Sequence, residues 1–183
     1  SGDYEKQYNE GKRDPEFMLG YVRALNAAGK PSLKITNEYL NTQKDLSTDI
    51  NLQFLLEGTV EADSRVFDLL MKNQQKAQAL FGPEKLNARF ENACKKTLKK
   101  AIEFKSEELL TEAKSKMKSA VPARAEAFGW EADMNYYSAT KDVKNYLKAA
   151  QAYQKGEIKN NAARLHDLVI SLLRAFPGEP KVL

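Results

Sequence analysis

Residues 123–176 read ARAEAFGWEADMNYYSATKDVKNYLKAAQAYQKGEIKNNAARLHDLVISLLRAF, and this stretch decides the fold class. Its apolar residues fall at Ala123, Ala127, Trp130, Met134 and Tyr137, then at Val143, Tyr146, Leu147, Ala150 and Tyr153. A third set follows at Ile158, Ala162, Leu165, Val169, Leu172 and Phe176. Steps of three and four place each set on one face of a helix. Ser138-Ala-Thr-Lys-Asp142 separates the first two sets, and Gln154-Lys-Gly-Glu157 the last two. The spacing therefore predicts three consecutive helices, each with one apolar stripe that only a neighbour satisfies.

Working outward, the same grammar recurs upstream. Asp14-Pro15-Glu16 is a helix start, with a capping carboxylate, proline at the first helical position and acid at the positive dipole end. Met18, Tyr21, Val22, Leu25 and Ala28 form its stripe, and Gly29-Lys-Pro31 stops it. Ser32–Asn41 reads as the return helix. Thr48-Asp49 starts a segment through Leu52, Phe54 and Leu55 that is apolar on nearly all sides, as for a central helix, and Gly58 ends it. A helix is predicted from Glu61 to Lys72, a shorter one through Ala77 and Leu80, and a long one from Pro83 to Phe104. Ser106-Glu-Glu108 caps the next, whose stripe is Leu110, Ala113, Met117 and Ala120. No segment alternates with period two, so no sheet is expected.

Hairpin starts near Asp14, Thr48 and Pro83 are about one tetratricopeptide length apart. The expected fold is all-α: a right-handed superhelix of antiparallel helix hairpins, degenerate and tetratricopeptide-like, with an irregular bundle as the second choice. No internal linker stands out, so residues 3–183 read as one domain. Ser1-Gly2 in place of Met reads as the remnant of a cleaved tag or the edge of an excised segment, and the chain as a piece of a longer protein.

Bulk properties narrow the function classes. The chain has 183 residues, 42% hydrophobic and 30% charged. A chain of that size buries about 70% of its unfolded surface and needs no covalent staples. Lys and Arg number 29 against 25 Asp and Glu, a net charge of +4, which is too diffuse for a nucleic-acid footprint. With one cysteine, Cys94, neither an internal disulfide nor a Cys-x-x-Cys pair is possible. No apolar run is long enough for a transmembrane helix.

Individual residues carry little catalytic signal. His166, the one histidine, lies beside Leu165 and Asp167. As a base or metal ligand it lacks converging partners. Cys94 falls on the inner side of its helix, where a thiol behaves as a small hydrophobe. Lys95, Lys96, Lys99 and Lys100, continued by Lys105, Lys114, Lys116 and Lys118, form the visible basic bias. Glu103, Glu107, Glu108 and Glu112 dilute it. It reads as a solvated face, or as a patch for an acidic partner or lipid headgroups. Trp130 sits on a stripe and reads first as core. Tyr136 sits off it and is a candidate for lining a concave binding face. No phosphate loop, nucleophile elbow or paired-histidine motif is present, so no cofactor is expected.

Three runs carry a resemblance. They are Arg13-Asp-Pro-Glu-Phe-Met-Leu-Gly-Tyr-Val-Arg-Ala-Leu-Asn-Ala-Ala-Gly-Lys30, Asn73-Gln-Gln-Lys-Ala-Gln-Ala-Leu-Phe-Gly82, and Tyr136-Tyr-Ser-Ala-Thr-Lys-Asp-Val-Lys-Asn-Tyr-Leu-Lys-Ala-Ala150 continued by Asn160-Asn-Ala-Ala-Arg-Leu-His-Asp-Leu168. In that order they resemble the helical region that follows the redox domain in a group of bacterial envelope thioredoxin-fold proteins. The resemblance implies an upstream thioredoxin domain bearing the redox cysteines, tetratricopeptide-like hairpins after it, and a periplasmic location. No redox residue carries over, because these 183 residues hold no Cys-x-x-Cys. The expected role is non-catalytic: a scaffold that holds a protein or peptide partner, or positions its own upstream thioredoxin-fold domain on one. Candidate contact residues are Tyr136, Trp130, Lys95, Lys96, Lys99 and Lys100. The alternatives are a basic adaptor for anionic surfaces and a hydrolase using His166.

Overall fold

The computed structural model describes residues 2–160 together with 162, 166, 169, 170 and 174. Ten helices cover them: α1 (Gly2–Asn9), α2 (Pro15–Ala27), α3 (Leu33–Asn41), α4 (Asp49–Gly58), α5 (Arg65–Lys72), α6 (Gln74–Phe81), α7 (Pro83–Phe104), α8 (Glu107–Ala120), α9 (Pro122–Ala139) and α10 (Val143–Asn160). The fold is all-α, and no strand occurs among the described residues. The chain divides into two compact units, Ser1–Glu126 and Ala127–Leu183. The sequence shows no linker there because the boundary lies inside the continuous helix α9.

In the first unit, local chemistry sets the helix ends. Asp14 accepts the Phe17 backbone N–H at 3.1 Å, and Pro15 opens α2, so the first-turn donors are satisfied as a cap requires. Gly29, at φ 65, takes the left-handed turn after it. α2 packs on α3 and α4, and α3 packs on α4. Met18, Val22, Leu40, Leu52, Phe54 and Leu55 are all buried at this junction. The Tyr39 and Phe54 rings stack with centroids 3.7 Å apart. α4 buries Asn51, Leu52, Phe54, Leu55, Leu56 and Gly58, the all-round burial expected of a central helix.

α5 begins at Arg65, not at Glu61 as the sequence suggests. Ser64 caps it by accepting the Phe67 N–H at 3.2 Å. The preceding Ala62 is held outside the helix, its backbone N–H donated to Thr97 Oγ1 of α7 at 2.8 Å. α7 and α8 then form the longest antiparallel pair. Lys105 turns it with φ 51, and Ser106 caps α8 through the Leu109 N–H at 3.2 Å. The predicted stripe of α8 faces inward, with Leu110, Ala113, Met117 and Ala120 buried, and α7 buries Leu86, Phe90, Ala93, Cys94 and Ala101.

The second unit departs further from expectation. α10 runs through Gln154–Glu157 to Asn160, so the predicted junction is helix. The third helix predicted beyond it lies largely outside the described residues. The buried face of α9 carries Phe128, Ala132 and Tyr136, not Trp130, Met134 and Tyr137. On α10, Ala149 is buried while Val143, Tyr146 and Leu147 are exposed, the reverse of the predicted phase. Gly156 explains the rotation. The Trp130 indole lies where a Cβ at Gly156 would stand, and it meets Tyr153 edge-on with centroids 6.0 Å apart. α10 presents its small residues to a large ring, and its aliphatic residues turn outward.

Candidate interaction surfaces

Four of the eight lysines that look like a basic patch pair with carboxylates. Lys95 pairs with Glu91 at 3.2 Å and Lys96 with Glu61 at 3.8 Å. Lys100 reaches Glu61 at 2.7 Å and Asp63 at 3.3 Å. Lys116 pairs with Asp68 and, at 3.5 Å, with Glu112. The hydrogen bond to Glu61, above all, holds the Lys100 ammonium above its ordinary range. Lys99 stays exposed. These contacts fasten the 60–64 connection and α5 to α7 and α8. Sequence distance hides them, because Glu61 and Asp63 lie more than thirty residues before Lys100.

Beside this network, Asp63, Asp68, Glu108, Glu112, Arg65 and Lys116 line a charged cleft of about 540 Å³. A second cleft, about 620 Å³, runs along Met71, Lys72, Gln74, Gln75, Gln78 and Pro83. Among the described residues no group of three or more His, Cys, Asp or Glu is arranged to hold a metal ion. His166 is exposed, and its neighbours Leu165 and Asp167 lie outside the described residues. Cys94 is fully buried, and burial pushes its thiol up to about 12. That is the opposite of the electropositive, accessible setting that activates a thiolate.

Tyr136 is only 3% exposed, so it does not line an open face. It meets Tyr137 edge-on at 5.3 Å. Trp130 is half-buried against Gly156 and Tyr153. The open apolar surface lies instead on α10, where Val143 is 67%, Leu147 54% and Tyr146 38% exposed. Val143 and Tyr146 also line a cleft of about 290 Å³ with Tyr137, Ser138 and Lys141. Lys141 turns the connection at φ 60, and Asp142 fixes it by accepting the Asn145 N–H at 3.1 Å. Sequence reading missed this surface because spacing of three and four identifies a stripe but not the side it faces. Ala149 and Gly156, seven apart, are the available signal for the inner side.

No family model, curated protein or solved structure matches this chain.

Proposed function

We propose that this chain is a non-catalytic helical-repeat scaffold for a protein or peptide partner, a degenerate tetratricopeptide-like superhelix. On the resemblance, it serves as the accessory region of a bacterial envelope thioredoxin-fold protein in the periplasm. The observation that carries the interaction role is the apolar face of α10, exposed beside a cleft. Isolated exposed apolar residues are ordinary, but a contiguous set marks a contact site. The packing of α2 on both α3 and α4 supports the repeat reading, since stacked hairpins bury their stripes on successive neighbours. Pairing of Lys95, Lys96, Lys100 and Lys116 with carboxylates favours this reading over a basic adaptor centred there.

Photo-crosslinking residues placed singly at exposed positions of α7, α9 and α10 in native cells test the scaffold role. Discrete protein adducts at a subset of positions are expected, and adducts at none overturn it. The natural full-length sequence tests the redox association. A thioredoxin-fold segment upstream of Tyr4 is expected, and its absence removes that part.

A further inference from the structure

We propose that the α9–α10 corner is a docking groove for an acidic amphipathic helix. The partner seats a large apolar side chain in the Tyr137–Tyr146 cleft and sets its carboxylates on the lysines of α10. This deepens the scaffold reading and rests on it. The charge pattern argues for the occupant. α10 carries four lysines, Lys144, Lys148, Lys155 and Lys159, and one glutamate, Glu157. Lys144 and Lys148 are one helical turn apart, Lys155 two turns further on, and all three are exposed. They form a row next to the Val143–Leu147 stripe, and Lys141 lines the cleft. Unlike Lys95, Lys96, Lys100 and Lys116, none of these lysines forms an ion pair among the described residues. Asp142, two residues before Lys144, is committed to capping, with Asn145 Nδ2 donating to its second oxygen at 2.7 Å.

An apolar stripe with a flanking row of exposed lysines complements a helix with an apolar stripe and a flanking acidic row. The shape favours a peptide over a lipid surface. Tyr137, Val143 and Tyr146 line a concave cleft, which fits an inserted side chain. The exposed polar residues Gln151 and Gln154 interrupt the face below it, whereas a helix lying in a membrane needs a long unbroken apolar side.

The test is a titration of the full chain, by amide chemical shifts and fluorescence anisotropy, with a synthetic helical peptide. Its leucines stand at i, i+3, i+4 and i+7, and glutamates fill the other face. The comparison ligands are the same peptide with lysine for glutamate, and vesicles of phosphatidylglycerol and phosphatidylcholine. The acidic peptide is expected to bind, with shifts confined to residues around 137–155. Binding weakens as ionic strength rises from about 0.05 M to about 0.5 M. Leu147→Ser, and separately the double reversal Lys144→Glu with Lys148→Glu, each weaken it about tenfold. Lys95→Glu leaves it unchanged. All these side chains are exposed, so matching thermal melts establish that the variants fold. Equal binding of acidic and basic peptides, or affinity that survives both variants, overturns the groove. So does vesicle binding without peptide binding. Should the peptide fail while cellular crosslinks persist at other positions, the groove falls and the scaffold reading stands. Should the crosslinks be absent everywhere, the scaffold reading itself falls.

Discussion

Thr97 ties Ala62 to α7: its hydroxyl oxygen accepts the Ala62 backbone N–H at 2.8 Å and donates to Asp63 Oδ1 at 3.1 Å. Thr97 and Ala62 are both fully buried. A buried N–H left without an acceptor costs about 1–3 kcal/mol. Thr97→Val keeps the shape and removes the acceptor, so it lowers unfolding stability by about that amount in urea titration. Thr97→Ser keeps the oxygen and loses less. Equal losses in the two variants would assign the effect to packing.

Gly156→Ala reverses the usual sign of a glycine substitution within a helix. Alanine ordinarily gains about 0.5–1 kcal/mol there. Here the new Cβ enters the space of the Trp130 indole, and overpacking of this kind costs about 1–3 kcal/mol. Trp130 is the single tryptophan, so its fluorescence reports the second unit. A lower melting temperature with altered emission is expected. A stabilised variant would mean that the indole moves freely aside.

Attachment of α1 depends on pH through Glu38. Its carboxylate accepts from the Tyr8 hydroxyl and, at 2.7 Å, from Arg13 Nε, and Arg13 lies 3.7 Å over the Tyr8 ring. The Tyr8 hydrogen bond first, helped by Arg13, holds the Glu38 carboxyl below its ordinary 4.5. A depressed carboxyl stabilises fully above its unfolded value, and that contribution is lost as pH falls through the folded value. Hydrogen exchange of the Gln7–Asn9 amides, corrected for intrinsic rate, therefore accelerates below the ordinary carboxylate range. In Tyr8→Phe the onset moves to higher pH. An unmoved onset would detach Glu38 from the effect.

Cys94 is inert in the folded chain. With its thiol pushed up to about 12 and no exposed surface, almost no accessible thiolate exists near neutral pH. Iodoacetamide at pH 8 leaves the native protein unlabelled by mass spectrometry and labels it rapidly in denaturant. Fast native labelling would show that α7 opens locally.

What the sequence could disclose depended on how near in the chain the deciding partner lies. The bounds of α7 and the start and stripe of α8 were legible, because Pro83, Ser106 and regular spacing mark them locally. The start of α5 was not, because the group that holds Ala62 out of the helix is Thr97, 35 positions away. The lysines of α7 looked free for the same reason. On α9, alanines on every side and aromatics at Phe128, Trp130, Tyr136 and Tyr137 offered two competing stripes. The choice between them is joined to a glycine on another helix. The exposed surface of α10 followed from that choice, and the candidates moved from Tyr136 to Val143 and Leu147.

α9 passes from one unit into the other as unbroken helix. A single residue inserted or deleted between Phe128 and Tyr136 turns one against the other by about 100°. Such a change would take Tyr136 off the buried face it shares with Phe128 and Ala132. Chain-length changes within this part of α9 thus keep that face only when they come as near-whole turns. Single-residue changes are left to connections such as Thr42–Ser47, where no helix phase propagates them.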